Sequence, residues 1–253
     1  MGTGEVKPVS GREAPPPKPR RFYKTVSVAD EGGTLCVMLD GKPVRTPLRN
    51  LLGTPKRALA DALAAEWDAQ DPVIDREAMP LTRMVATAID RIGPEREAII
   101  SSLMAYIDSD LLCYRATYPT ALKVRQAEAW QPVLDWLHEN VGARLTYVEG
   151  VMPIQQPKDA ASAMKQAIES LSDENLMAFQ ACAAITKSLA LSMALVHRYL
   201  DADEVAACAH LDETFQAEQW GEDREALMRQ RIIETEIRVI KKYISLLEGD
   251  SQS

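Results

Sequence analysis

Two hydrophobic rhythms divide this chain. Up to about residue 47 the apolar residues come in short runs broken by turn residues. From residue 80 they fall at helical spacing: Leu81, Met84, Val85, Ala88, Ile89 and Ile92 follow i, i+3, i+4, i+7, i+8, i+11, a clean stripe with a 3.6-residue period. From about Pro157 to Gly249 only helical patterning remains. There Ile233, Ile237, Ile240, Ile244 and Leu247 alternate four- and three-residue steps, the seam of a helix packed along others. A chain with both rhythms in separate stretches predicts α+β architecture, a small antiparallel β-rich N-terminal domain followed by a larger all-helical C-terminal domain.

Punctuation residues refine this division. Residues 23–28 mix Thr and Val with polar residues, Asp30-Glu31-Gly32-Gly33 reads as a turn, and residues 35–39 are a compact apolar run. Asp40-Gly41 fits a type I′ hairpin turn, which needs positive φ at both central residues. Pro43 and Pro47 remove ladder donors, so the returning strand is short or lies at an edge. Thr54 reads as an N-cap and Pro55 as the first residue of a helix reaching about residue 70. Pro80 opens the next helix and Gly93-Pro94 stops it; Ile99, Ile100, Leu103 and Ile107 continue the pattern in a third. Residues 119–140 form another helical stretch, where Pro132 predicts a kink or a new start and Gly142 ends it. Residues 144–148 read as an isolated strand. The expected organisation is a flexible Pro-rich tail over 1–20, a β-rich domain with one helix over 21–75, and a helical domain over 76–250.

Composition excludes several functions. Hydrophobic residues make up 46% of the 253, enough for a sizeable core, and the formal charge of −8 opposes general nucleic-acid binding. There is no Gly-x-Gly-x-x-Gly, Walker loop or Gly-x-Ser-x-Gly elbow. Cys36, Cys113, Cys182 and Cys208 are widely spaced and read as buried, reduced thiols. The longest apolar stretch, 189–196, is too short to span a membrane, which takes roughly 20 residues. No apolar h-region marks a secretory signal, and Glu5 and Glu13 spoil an acid-poor transit signature, so a bacterial cytoplasm is the expected compartment. Asp135 and His138, and likewise His210 and Glu213, stand three apart, the carboxylate–imidazole spacing of helical metal sites. A helical metal-dependent enzyme built on these four is the alternative reading. Asp108 and Asp110 read as helix caps before acid–base groups.

One segment stands out. Residues 201–225 hold nine acids and a single base, Arg224, and so carry the net charge of the whole chain. As one helix it places Cys208, Leu211 and Phe215 on an apolar face. Glu213, Gln216 and Trp220 fall on the opposite side with Ala206, Ala209 and Ala217. A Trp beside a carboxylate among small residues suits a docking surface, and equally a second packed face.

The remaining strings carry a resemblance. Arg21-Phe22-Tyr23-Lys24, the run from Leu39 to Pro47 (LDGKPVRTP), Glu66-Trp67-Asp68-Ala69-Gln70, Met79-Pro80-Leu81-Thr82, Thr87-Ala88-Ile89-Asp90, Ser109 to Arg115 (SDLLCYR), Trp130-x-Pro132 with Trp136, and Phe215-Gln216-x-x-x-Trp220-Gly221-Glu222-Asp223 occur in order. Together they resemble the assembly chaperones of the ATP synthase F(1) head, the family that handles the α subunit. The resemblance implies a non-enzymatic, monomeric chaperone without cofactor that binds the unassembled α subunit, prevents its aggregation and hands it to β. It implies a bacterial cytoplasm, or the mitochondrial matrix in a eukaryote, and no membrane insertion or nucleic acid. The partner-binding residues it points to are Glu213 and Trp220 first, then Gln216, Glu222 and Asp223. Trp67 reads as core, and Arg45 and the Asp40-Gly41 turn as structural.

Overall fold

The computed structural model describes residues 18–221 and 223–249. Strands β1 (Val26–Asp30) and β2 (Leu35–Leu39) pair antiparallel, Val26 opposite Leu39 and Asp30 opposite Leu35. The turn after β2 has Asp40 at φ 48° and Gly41 at φ 76°, as a type I′ turn requires. Two short strands, β3 (Lys42–Pro43) and β4 (Gly53–Thr54), share the other edge of β2. Gly53 is there for space: a Cβ would meet Thr34 Cγ2 at 2.7 Å and the Leu35 carbonyl at 2.8 Å. Lys18 pairs with Asp75, and Arg20 forms a bridge with Val73, so this end of the expected tail lies along residues 73–75. Residues 1–17 of that tail lie outside the described residues.

Helix α1 (Arg57–Asp68) begins later than the Thr54 cap predicted. Thr54 belongs to β4 and is buried, its hydroxyl accepting from the Lys56 amide at 3.2 Å, and Lys56 takes the cap position. The helix buries Leu59, Ala60 and Leu63. Its Glu66 carboxylate accepts from the Leu81 and Thr82 amides, both at 2.8 Å, capping α2 (Pro80–Thr87) from outside. The stripe that begins at Leu81 then passes into a π turn at Ala88–Ile92, where the Gly93 amide reaches back to the Ala88 carbonyl. That turn points Asp90 inward, to accept from Thr46 Oγ1 at 2.6 Å, Asn50 Nδ2 at 2.9 Å and the Leu48 amide at 2.9 Å.

Beyond α3 (Arg96–Met104), strands β5 (Tyr114–Arg115) and β6 (Val148–Glu149) pair in parallel, so the strand expected at 144–148 survives only at its end. Helix α4 (Thr120–Val141) runs through Pro132 without a new start and stops at Gly142, φ 79°. Helices α5 (Lys158–Ser170), α6 (Asp173–Thr186) and α7 (Leu189–Val196) come next, and every residue of α7 is buried. Asp110, 1% exposed, holds the start of α7: its carboxylate accepts from Ser188 Oγ, and from the Leu112, Leu189 and Ala190 amides. A carboxylate at a helix N-terminus meets orphan amides and the positive end of the dipole together. The cap expected of Asp110 is thus a buried junction between distant segments. Buried residues from Tyr23 in the β-rich part to Leu247 near the end form one contiguous cluster.

Candidate functional site

The acidic segment is built from two helices, α8 (Ala202–Ala209) and α9 (Leu211–Trp220), which break at His210. This corrects the single wheel drawn through 201–225. Trp130 Nε1 donates to the Cys208 carbonyl at 3.0 Å, satisfying an acceptor at the end of α8 that the break leaves without its helical amide. Ala206 and Ala209 therefore do not share a face with Trp220, and Ala206 is buried. Several acids are spent as caps. Asp201 accepts from the Asp203 and Glu204 amides, both at 2.9 Å, and Glu204 returns a bond from the Asp201 amide, a complete capping box.

Helix α9 is clamped to α4. Phe215 is its buried anchor, with the Arg125 guanidinium 5.2 Å over its ring, and Arg125 also pairs with Glu218 at 2.7 Å. Asp212 accepts from Gln126 Nε2 at 2.7 Å. Burial raises the Asp212 carboxyl pKa above its usual range; the Gln126 bond opposes this and the Glu213 charge adds to it. With those groups turned to α4, Glu213, Gln216 and Trp220 remain exposed at i, i+3 and i+7, and Trp220 is 78% exposed. Gly221, at φ 94°, ends the helix, and Asp223 caps the next by accepting from the Glu225 amide at 2.9 Å. Four of the five expected partner-binding residues thus lie on α9 or just after it, Asp223 with a structural role as well. Glu222 lies outside the described residues.

A second surface has no counterpart in the sequence reading. Helix α10 (Arg224–Glu248) buries Ile237, Ile240, Tyr243, Ile244 and Leu247 in its second half. In its first half Met228 is 67% and Ile232 52% exposed. With Met84 of α2 and Met177, Ala181 and Ile185 of α6, these two line a groove of about 920 Å³. Three methionines in one groove make an adaptable apolar lining, because the unbranched thioether repacks around different shapes. The available signal was Met228 and Ile232 themselves, apolar residues four apart and off the Ile233–Leu247 seam.

The residues of the metal alternative are not brought together. Asp135 and His138 are exposed on α4, with Asp135 accepting from Gln131 Nε2 at 2.8 Å, while His210 is half-buried at the α8–α9 break. Among the described residues no three His, Cys, Asp or Glu side chains gather to hold a metal ion. No helix among them is long and apolar enough to cross a membrane.

The described residues thus present exposed apolar side chains, Trp220, Met228 and Ile232, on a helical scaffold, with several of the nearby acids engaged in caps and clamps. The family model of the ATP12 chaperone protein matches residues 20–138. The crystal structure of Atp12 from Paracoccus denitrificans superposes with a TM-score of 0.86 at 37% identity, over 90% of this chain and 98% of that one. A protein of Agrobacterium tumefaciens described as a candidate chaperone gives 0.84 at 43% identity, over 92% of this chain and 87% of that one. The mitochondrial atp12 protein of Schizosaccharomyces pombe is 27% identical across 82% of this chain and 75% of its own length. The chain belongs to the ATP12 chaperone family, whose members are ATP synthase assembly chaperones and not enzymes.

Proposed function

We propose that this chaperone binds the unassembled α subunit of the F(1)-ATPase, masks the apolar surface meant for β, and yields it when β arrives. An isolated α subunit exposes that surface and is prone to aggregate through it. Release demands a contact of moderate strength, apolar at its centre and polar at its rim. The observation that carries the reading is the exposure of Trp220, Met228 and Ile232 on neighbouring helices of a chain in this family. Glu213 and Gln216 beside Trp220 supply the polar component, Asp223 adds to it as Glu222 is expected to from the sequence, and the Met-lined groove supplies a deeper apolar seat. A monomer acting in a bacterial cytoplasm fits the bacterial relatives, and the mitochondrial matrix would be the corresponding place in a eukaryote.

The test is co-purification with isolated α, followed by addition of β. A soluble complex that gives way to α–β pairing supports the reading. Aggregation of α at the same rate with and without the chaperone overturns it.

A further inference from the structure

The other face of α2 carries a second, differently charged site. A cleft of about 710 Å³ lies between α2 and the chain from Val44 to Leu52, with Arg83 and Thr87 lining both it and the Met-lined groove. Such a volume is in the range of ligand-binding clefts. Val44, Leu52, Met79 and Ala86 give it apolar walls, and Leu48 stands 66% exposed at its edge.

Its charge runs against that of the molecule. In a chain of net charge −8, the cleft is lined by four arginines, Arg45, Arg76, Arg83 and Arg91, and by only two carboxylates, Asp90 and Glu95. Both carboxylates are occupied: Asp90 by Thr46, Asn50 and the Leu48 amide, and Glu95 by Arg91 at 3.1 Å. Arg45 leans on the Arg49 carbonyl. The exposed Arg76 and Arg83 guanidiniums have no hydrogen-bonding or ionic partner among the described residues. Two residues of the lining, Trp67 and Thr82, also carry a polar atom that is shut off from solvent and has no partner among the described residues.

We propose that this cleft binds an extended peptide segment of a partner protein in which acidic and apolar side chains alternate. The spacing of the arginines favours a chain over a single anion. Arg83 and Arg91, the latter shared with Glu95, are eight residues apart on a helical stretch, about 12 Å along its axis, too far for one phosphate or carboxylate to bridge. In an extended segment rising about 3.3 Å per residue, acids four positions apart match that distance and point to the same side. The identity of the protein that supplies the segment, the unassembled α subunit, rests on the chaperone reading; the chemistry rests on the cleft.

The test uses a labelled dodecapeptide of alternating Leu and Glu, its counterpart with Lys for each Glu, and fluorescence polarisation on the full chain. The Glu peptide should bind and weaken with added salt, and the Lys peptide should not bind. The double variant Arg76→Glu/Arg83→Glu, with far-UV circular dichroism to confirm its helix content, should bind the Glu peptide at least tenfold more weakly. The variant Leu48→Asp, at an exposed position, should weaken it independently. Equal binding of the two peptides, no binding of the Glu peptide, or undiminished binding by both variants overturns the proposal. Capture of α is measured alongside. A tenfold loss of capture in both the double variant and Leu48→Asp assigns the segment to α, since Arg83 also borders the Met-lined groove and Leu48 does not. Peptide binding without α capture leaves the cleft standing and removes the chaperone reading. Capture of α unchanged in the double variant, with no peptide binding, removes the cleft alone.

Discussion

Helix α10 is one uninterrupted helix whose halves live in different surroundings. Its second half lays Ile237, Ile240, Tyr243, Ile244 and Leu247 into the core beside α6 and α8. Its first half carries apolar residues at similar spacing, yet Met228 and Ile232 face outward over the groove. Nothing in the helix itself explains the difference. The second half has neighbours to close over it, and the first half has a groove. The closed half contributes to the stability of the molecule, and under the proposed function the open half is where another chain would be held.

The largest expected effect sharpens this contrast directly. Ile240→Ala should destabilise the protein by about 3 kcal/mol in urea unfolding, as truncation of a buried isoleucine does. Ile232→Ala should stay within about 0.5 kcal/mol. Equal costs would mean that the two halves are packed alike and would break the comparison. The converse comes next: Met228→Glu combined with Ile232→Glu should lower α capture by more than about tenfold at an unchanged melting temperature, since the groove would now oppose an apolar occupant. On α9, Trp220→Ala should cost about 1–2 kcal/mol of α binding, the range of an exposed aromatic anchor. Glu213→Lys should weaken α binding less and leave helix content intact. A melted Glu213→Lys protein would instead make that residue structural.

Carboxylates extend the contrast to pH. For Asp90, burial raises the pKa, but the bonds from Thr46, Asn50 and Leu48 together outweigh it and leave the pKa below 3.8. A depressed folded pKa gives stability that is present above the unfolded value and lost as pH falls through the folded one. Asp90→Asn should therefore cost about 1–2 kcal/mol at neutral pH and flatten the loss of stability below pH 3.8. For Asp212 the pKa is raised above 3.8, so its ionisation in the folded state costs stability as pH rises past that value. Asp212→Asn keeps an acceptor for Gln126 and should leave stability at pH 7 unchanged or slightly higher. Urea midpoints between pH 3 and pH 7 read both slopes, and slopes of the same sign would refute the assignment.

The features legible in the sequence were local, and those that escaped it were not. Asp40-Gly41, Pro80 and Gly142 act through their own backbone, and each turned the chain where its chemistry demands. The α10 seam was legible because a repeating stripe states that a face is buried. It does not state where the burying partner stops, so the open half of the helix was invisible. The break at His210 is accompanied by a bond from Trp130, 78 residues from Cys208 in sequence, to the carbonyl left at the end of α8. Thr54 had the right residue type for a cap, but β2 claimed it as a strand partner first. Of the candidate site, the exposed Trp220 could be found on a wheel. The groove could not, because its walls come from three helices and α6 is apolar on most sides, with no stripe to show an exposed edge.

The π turn at Ala88–Ile92 has a consequence for chain length. Such a turn holds one residue more than the helix around it needs. Deleting one residue there would leave a tidier helix and rotate the residues downstream by about 100°. Asp90 would then swing away from Thr46, Leu48 and Asn50, and the segment that walls the arginine cleft would lose its anchor. The deletion would improve the local helix while cutting the tie between helix and sheet, so this stretch should tolerate many substitutions on its outer side but no change in its residue count.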